Sequence, residues 1–160
     1  MVPLDLLRDA PIFSGCTEQD LSRLREIAVT HEFQNGERIF SQGEEARELM
    51  VISSGNVQLE LSVSVLGEER NIAFETKNRG NIVGWSSLAS TSRFTLSGRA
   101  VGRTTVEAFG RRELERLFDS DPVFGLQVMK NALSVVRLRL ERTHRMWIQE
   151  IQRSLDEHYR

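Results

Sequence analysis

The side chains able to do covalent, acid–base or metal chemistry are few in this sequence, and they stand apart. There is one cysteine, Cys16, and there are three histidines, His31, His144 and His158. A single thiol forms no intramolecular disulfide, and with histidines so scattered it builds neither a zinc nor an iron–sulfur site. His144 and His158 are fourteen residues apart, far beyond the one-turn spacing by which a helix offers two ligands to one metal. Cys16 precedes a helix start but has no basic neighbour to draw off its proton, so it reads as inert. No Ser, His and Asp set, no metal motif and no P-loop stands out. The Gly80 to Gly84 spacing also lacks the long helix and distant acidic partner of a dinucleotide fingerprint. The chemistry to expect is binding rather than catalysis, with no metal centre. The densest charge is Arg137, Arg139, Arg142 and Arg145. It reads either as a contact set for a ligand or as a solvated flank beside Glu141 and Glu150.

The elements that must position such a site come in three textures. Thr17-Glu18-Gln19-Asp20 has the form of a capping box, and Leu21, Leu24, Ile27 and Ala28 follow at helical spacing, which predicts a short helix. From about Thr30 to Ala108 short extended runs alternate with glycine breaks, at Asn35-Gly36, Gln42-Gly43, Ser54-Gly55, Leu66-Gly67, Gly80, Gly84, Gly98 and Gly102. That rhythm argues for an antiparallel sandwich or barrel. Val57 to Val65 alternates apolar with polar residues and predicts a strand with one buried and one wet face. Arg111 to Phe118 is a short amphipathic piece. Asp121-Pro122 then supplies a cap and a first-turn proline for a long helix reaching about Glu157. Leu126, Met129, Leu133, Val136, Leu140 and Trp147 fall at alternating steps of three and four, with Thr143 completing the series. A helix on the order of 50 Å long outruns one small barrel. Part of this seam is therefore expected to pair with the same helix of a twofold-related copy.

The chain has 160 residues, 39% hydrophobic and 28% charged, with 21 basic against 23 acidic side chains and a net charge of −2. That is one globular domain with a core, and it carries no basic field for nucleic acid. No apolar run approaches a membrane span, and Asp5, Arg8 and Asp9 interrupt the stretch where a signal peptide would be apolar. The expected setting is the cytoplasm.

Leu7-Arg8-Asp9-Ala10-Pro11-Ile12-Phe13, then Asn35-Gly36-Glu37-Arg38-Ile39-Phe40-Ser41-Gln42-Gly43-Glu44 and Leu49-Met50-Val51-Ile52-Ser53-Ser54-Gly55-Asn56-Val57, make the order of elements specific. From about Leu4 to the end of the long helix the sequence resembles the cyclic nucleotide-binding domain family, and especially the sensor half of the catabolite-activator superfamily of bacterial regulators. The resemblance implies a mainly β fold with flanking helices: a double-stranded β-helix, or jelly-roll-like β-roll, with a long C-terminal dimerisation helix. It divides the single domain, 1–160, into N-terminal helices at 1–29, a β-roll at 30–110 and C-terminal helices at 111–160. Relatives that act on DNA carry a reader unit after the long helix, and no such DNA-binding domain is expected within this chain.

In that family the ligand cassette opens on a glycine and a glutamate. Backbone N–H groups of the next helical turn and an arginine then meet the cyclic phosphate. The matching stretch here is Gly80 to Ala89 followed by Arg93 to Ala100. Gly84 matches, Trp85 stands in the place of the glutamate, and Phe94 falls at the phosphate arginine with Arg93 one position away. A one-residue slip turns a strand side chain to the other face. Losing two charge-assisted contacts weakens binding by roughly two to four decades. The pocket that remains is expected to comprise Gly84, Trp85, Ser86, Ser87, Leu88, Arg93, Thr95 and Ser97, with Trp85 either stacking on a flat ligand or sealing the site. The resemblance also brings the middle of the long helix near the ligand. Three readings stay open. The chain is a homodimeric sensor for a cyclic nucleotide or another small anionic ligand, a ligand-free scaffold, or the sensor half of a transcription regulator. It is expected to make no direct contact with nucleic acid or membrane.

Overall fold

The computed structural model describes residues 2–89 and 92–158. Helix α1 (Leu4–Asp9), a single 3-10 turn (Pro11–Phe13) and helix α2 (Glu18–Ile27) open the chain. Six strands follow, β1 (Ala28–Phe33), β2 (Arg38–Phe40), β3 (Glu48–Val65), β4 (Glu68–Lys77), β5 (Ile82–Val83) and β6 (Ser97–Gly110), with a second 3-10 turn, Trp85–Leu88, between β5 and β6. Helices α3 (Arg111–Ser120) and α4 (Pro122–His158) complete it. All pairings are antiparallel. The strands run in the order β1-β6-β3-β4, with β2 also on β6 and β5 also on β3. This is the mainly β roll with flanking helices and a long C-terminal helix that the sequence leads one to expect.

Local chemistry sets the helix starts. Thr17 Oγ1 accepts from the Asp20 N–H at 3.2 Å while the Asp20 carboxylate accepts from the Thr17 N–H at 2.8 Å, a reciprocal cap for α2. Asp121 Oδ1 accepts from the Phe124 N–H at 3.1 Å and so caps α4 ahead of its first-turn proline.

The strands are fewer and longer than the glycine rhythm predicts. Ser54-Gly55-Asn56 is no hairpin turn. It lies inside β3, which continues through register irregularities and pairs with β6 on both sides of them. Gly55 allows this because its φ is +73° and a Cβ there would sit 2.4 Å from the Arg103 carbonyl oxygen, so no other residue fits the bend. Gly98 and Gly102 likewise lie within β6. Leu66-Gly67 is a true two-residue turn between paired Val65 and Glu68, both of its residues at positive φ.

Alternate residues of β3 feed two cores. Leu49 and Val51 face the helices, together with Phe13, Leu24, Phe109, Phe124 and Val128, whereas Met50 and Ile52 face the roll interior with Phe40, Leu59, Phe94 and Val106. The wet face expected of Val57 to Val65 has an exception. Glu60 is only 9% exposed, because Arg38 at 3.0 Å and Arg99 at 2.9 Å cover its carboxylate. Their hydrogen bonds and charge, Arg99 foremost, hold that carboxyl below the usual range.

Candidate ligand site

Gly84 begins the cassette turn in the left-handed region, with φ +75°, and a Cβ there would lie 2.5 Å from the Glu48 carbonyl oxygen. Only glycine lets β5 turn this tightly against β3. Arg111, at the start of α3, donates from Nε to the Ser87 carbonyl at 3.0 Å and also to the Ala46 carbonyl, which pins the turn to the base of the roll.

From this turn the indole of Trp85 leans toward α4, and the Arg139 guanidinium lies 5.6 Å from its ring centroid. The same guanidinium lies 5.9 Å from the Phe74 ring and 3.5 Å from the Glu75 carboxylate. One arginine of the long helix is thus held between two aromatic faces and an acid from β4. Burial lowers its pKa from the ordinary guanidinium value. Burial raises Glu75 in turn, but Lys77 at 2.8 Å, Arg142 at 2.5 Å and Arg139 outweigh it and hold the carboxyl below the usual range. The solvated-flank reading therefore fails for Arg139, whose side chain is only 21% exposed, whereas Arg142 stays half exposed while it pairs with Glu75.

Inside the roll, Phe94 stacks on Phe40 with centroids 4.4 Å apart and planes 29° apart, and the Phe40 ring rests directly on Gly98. The space left among Phe40, Leu59, Ile82, Val83, Gly84, Trp85, Ser86, Phe94, Thr95, Leu96 and Arg139 is about 20 Å³. That is room for a single water, against the 300 Å³ or more of ordinary ligand pockets.

Of the residues expected at the site, Gly84, Trp85, Ser86 and Thr95 meet around this space. The other four lie off its lining. Ser87 is buried with its hydroxyl unpartnered among the described residues, and Leu88 packs into the core under the helices. Arg93 is exposed and donates to the Gly43 carbonyl at 2.7 Å, while Ser97 is buried and its Oγ accepts from the Gln42 N–H at 2.9 Å. Sequence reasoning passed over Phe40, Phe74 and Glu75, which come from strands distant in the chain. Arg139 carried a signal: it extends the steps of three and four through Phe124, Val128, Ala132 and Val135, the stripe that α4 turns inward.

The seam residues are disposed otherwise. Leu126, Met129, Leu133, Leu140 and Trp147 are exposed in the single chain, Leu133 by 69% and Trp147 by 65%, and Val136 is half-buried. Among the described residues no group of three or more acids, histidines and cysteines is arranged to hold a metal, and no helix is long and apolar enough to cross a membrane.

Comparison with known proteins agrees with this fold. The chain is 25% identical over 122 residues to a putative potassium channel protein of Rhodopseudomonas palustris; the match covers 76% of this chain but only 28% of the channel protein. A putative cyclic nucleotide-binding protein of Geobacter metallireducens superposes with a TM-score of 0.72 at 25% identity, covering 88% of this chain and 99% of that one. The Thermus thermophilus catabolite activator protein shares the fold, with a TM-score of 0.70 at 24% identity, 86% of this chain and 61% of that one being covered. Residues 30–121 match the family described as the cyclic nucleotide-binding domain. A match across more than half of the chain decides the point, and this protein belongs to the cyclic nucleotide-binding domain family.

Proposed function

We propose that this chain is a homodimeric regulatory domain whose roll is closed to cyclic AMP and cyclic GMP by its own side chains. The observation that carries the reading is the 20 Å³ left where the family's ligand would lie. Trp85 takes the place of the acid that would bind a ribose hydroxyl, and Phe94 that of the arginine that would meet a phosphate. Phe40 and Arg139 close the rest from either side. A ligand among Gly84, Trp85, Ser86 and Thr95 requires Trp85 or Phe94 to swing out. For Phe94 that means giving up a stacked aromatic pair worth about 0.5–1.5 kcal/mol beyond its buried area. Signalling would then come from the placing of α4 against the roll, a two-state arrangement biased by whatever binds one state better.

Dimerisation through Leu126, Met129, Leu133, Val136, Leu140 and Trp147 accompanies this reading. The support is a run of exposed apolar side chains at coiled-coil spacing on a helix whose other stripe is already buried. The lone, half-buried Cys16 suits a reducing cytoplasm, where we place the protein's work.

Thermal denaturation with and without millimolar cyclic AMP or cyclic GMP tests the closed roll. The expected shift is nil for either nucleotide. A ligand at a hundred times its dissociation constant would add about 2.7 kcal/mol, so a rise of several degrees with either one overturns the reading.

A further inference from the structure

A cleft of about 740 Å³ lies where β6 runs into α3, and it shares no lining residue with the roll interior. That volume is within the range of small-ligand pockets. One wall is the segment entering β3 and the other is the first turn of α3. Backbone fixes the two walls against each other, since Glu48 is paired with Gly110 across β3 and β6 and the Arg111 N–H donates to the Arg47 carbonyl at 2.8 Å. The lining is four carboxylates, three guanidinium groups and Gly110. Glu45 and Arg47 pair with each other at 2.8 Å, and the remaining five charges do not pair across the cleft. Arg111 and Arg112 have no carboxylate at ion-pair distance, and Glu115 has no partner among the described residues. Glu113 reaches only Arg116, at 4.0 Å, and Glu48 only His31, at 3.7 Å. Both signs thus line one space without neutralising each other. A lone anion there would face the carboxylates, and a lone cation the guanidinium groups, so the complement is a molecule that carries both signs.

Spacing limits its length. Arg111 and Glu115 stand one turn apart on α3, about 6 Å along the axis. A single amino acid holds its two charges closer than that, whereas a chain gains roughly 3.3–3.6 Å per residue when extended. Arg111 donates from Nε to the Ser87 carbonyl at 3.0 Å and from Nη2 to the Ala46 carbonyl, which leaves Nη1 free to donate into the cleft. From this juxtaposition we propose that the cleft between the segment entering β3 and the first turn of α3 binds the zwitterion of a short peptide. The terminal carboxylate lies on Arg111 and Arg112, and the terminal ammonium lies on Glu115, with Glu48 adding negative charge from the facing wall. This site goes beyond the proposed function and holds whether or not the roll is closed.

Glycylglycine is the probe, followed through the backbone amide resonances of the isotope-labelled chain. Saturable shifts are expected at Gly110 to Glu115, with the millimolar affinity that exposed charge pairs support. N-acetylglycylglycine lacks the ammonium and glycylglycinamide lacks the carboxylate, so each should bind roughly threefold more weakly or worse. Glycine, too short to reach both ends, should also bind more weakly. R112Q and E115Q break no ion pair and should leave the fold intact, while Arg111 is kept because it pins the Ser87 turn. Each variant should weaken glycylglycine about threefold. R112Q should also shrink its advantage over glycylglycinamide, and E115Q its advantage over the acetylated form. K130Q, an equal loss of charge on exposed α4 surface, should change nothing. Absence of saturable shifts at these amides, capped peptides binding as well as glycylglycine, or parental affinity in both R112Q and E115Q overturns the proposal. None of these outcomes bears on the closed roll, which is read with cyclic AMP.

Discussion

The two halves of α4 are built from the same alternation of threes and fours, yet they meet opposite fates. In the first half Phe124, Gly125, Val128 and Ala132 are buried against the N-terminal turn and α3. Asn131 Nδ2 donates to the Ile12 carbonyl at 3.0 Å and the Ser14 carbonyl at 2.8 Å, and Arg23 ties α2 to the Asp121 cap at 2.7 Å. In the second half Leu140, Met146, Trp147, Ile148, Ile151 and Leu155 are exposed in the single chain. The difference shows that helical periodicity specifies a face but not its partner. The first half finds a partner in its own domain, and beyond the Arg142–Glu75 pair the second presents its apolar side chains to solvent.

The sharpest way to break this contrast is to place the same charge on a covered and on an uncovered position of α4. V128D puts a carboxylate at a fully buried position within an apolar cluster. A loss on the order of 4 kcal/mol or more is expected, a large share of the roughly 5–15 kcal/mol stability of an ordinary domain. Urea denaturation checks it. L133D with L140D places two carboxylates on side chains that are 69% and 52% exposed in the single chain, so the fold should stand. The assembly should not: light scattering after size exclusion should give the mass of one chain where the parent gives two. An unchanged mass would remove the seam from the dimer, and a parent of one chain would remove the dimer.

The junction between the halves gives a smaller effect. E75Q leaves Lys77, Arg139 and Arg142 without their shared charge and should cost roughly 1–3 kcal/mol. The folded state holds this carboxyl below its unfolded value, so its contribution is fully present above the ordinary glutamate value of 4.5 and is lost as the pH falls through the folded value. Parent stability should therefore decline on acidification below about pH 4.5. E75Q should decline less steeply, the remaining slope coming from Glu60 and other depressed carboxylates.

What was legible in the sequence follows the range of the forces involved. The Thr17 cap, the Asp121-Pro122 start and the Leu66-Gly67 turn are decided within four residues, and each stands where its local chemistry puts it. Gly55 misled because a glycine at positive φ serves a bulge as well as a turn, and only the pairing of β3 with β6 distinguishes the two. The stacking of Phe40 on Phe94 was hardest to see. Phe40 and Phe94 are far apart in the chain, and no spacing rule brings their rings into contact. The residues at positions 85 and 94 could be read from the sequence, but not that the space between them measures only about 20 Å³.

Cys16 offers a finer gauge of the first half of α4, because it packs at the edge of the core that this half completes. Burial, aided by Asp20, pushes its thiol up to about 11 from an ordinary 9.0. The thiolate is the reactive form, so at pH 8 the folded protein should react with a disulfide reagent about a hundredfold more slowly than the urea-unfolded chain. The L133D and L140D pair should keep that protection if the first half of the helix is held by its own domain alone. Should protection fall with dimerisation instead, the two halves would be coupled, and the seam would be helping to seat Phe124, Val128 and Ala132 as well as joining two chains.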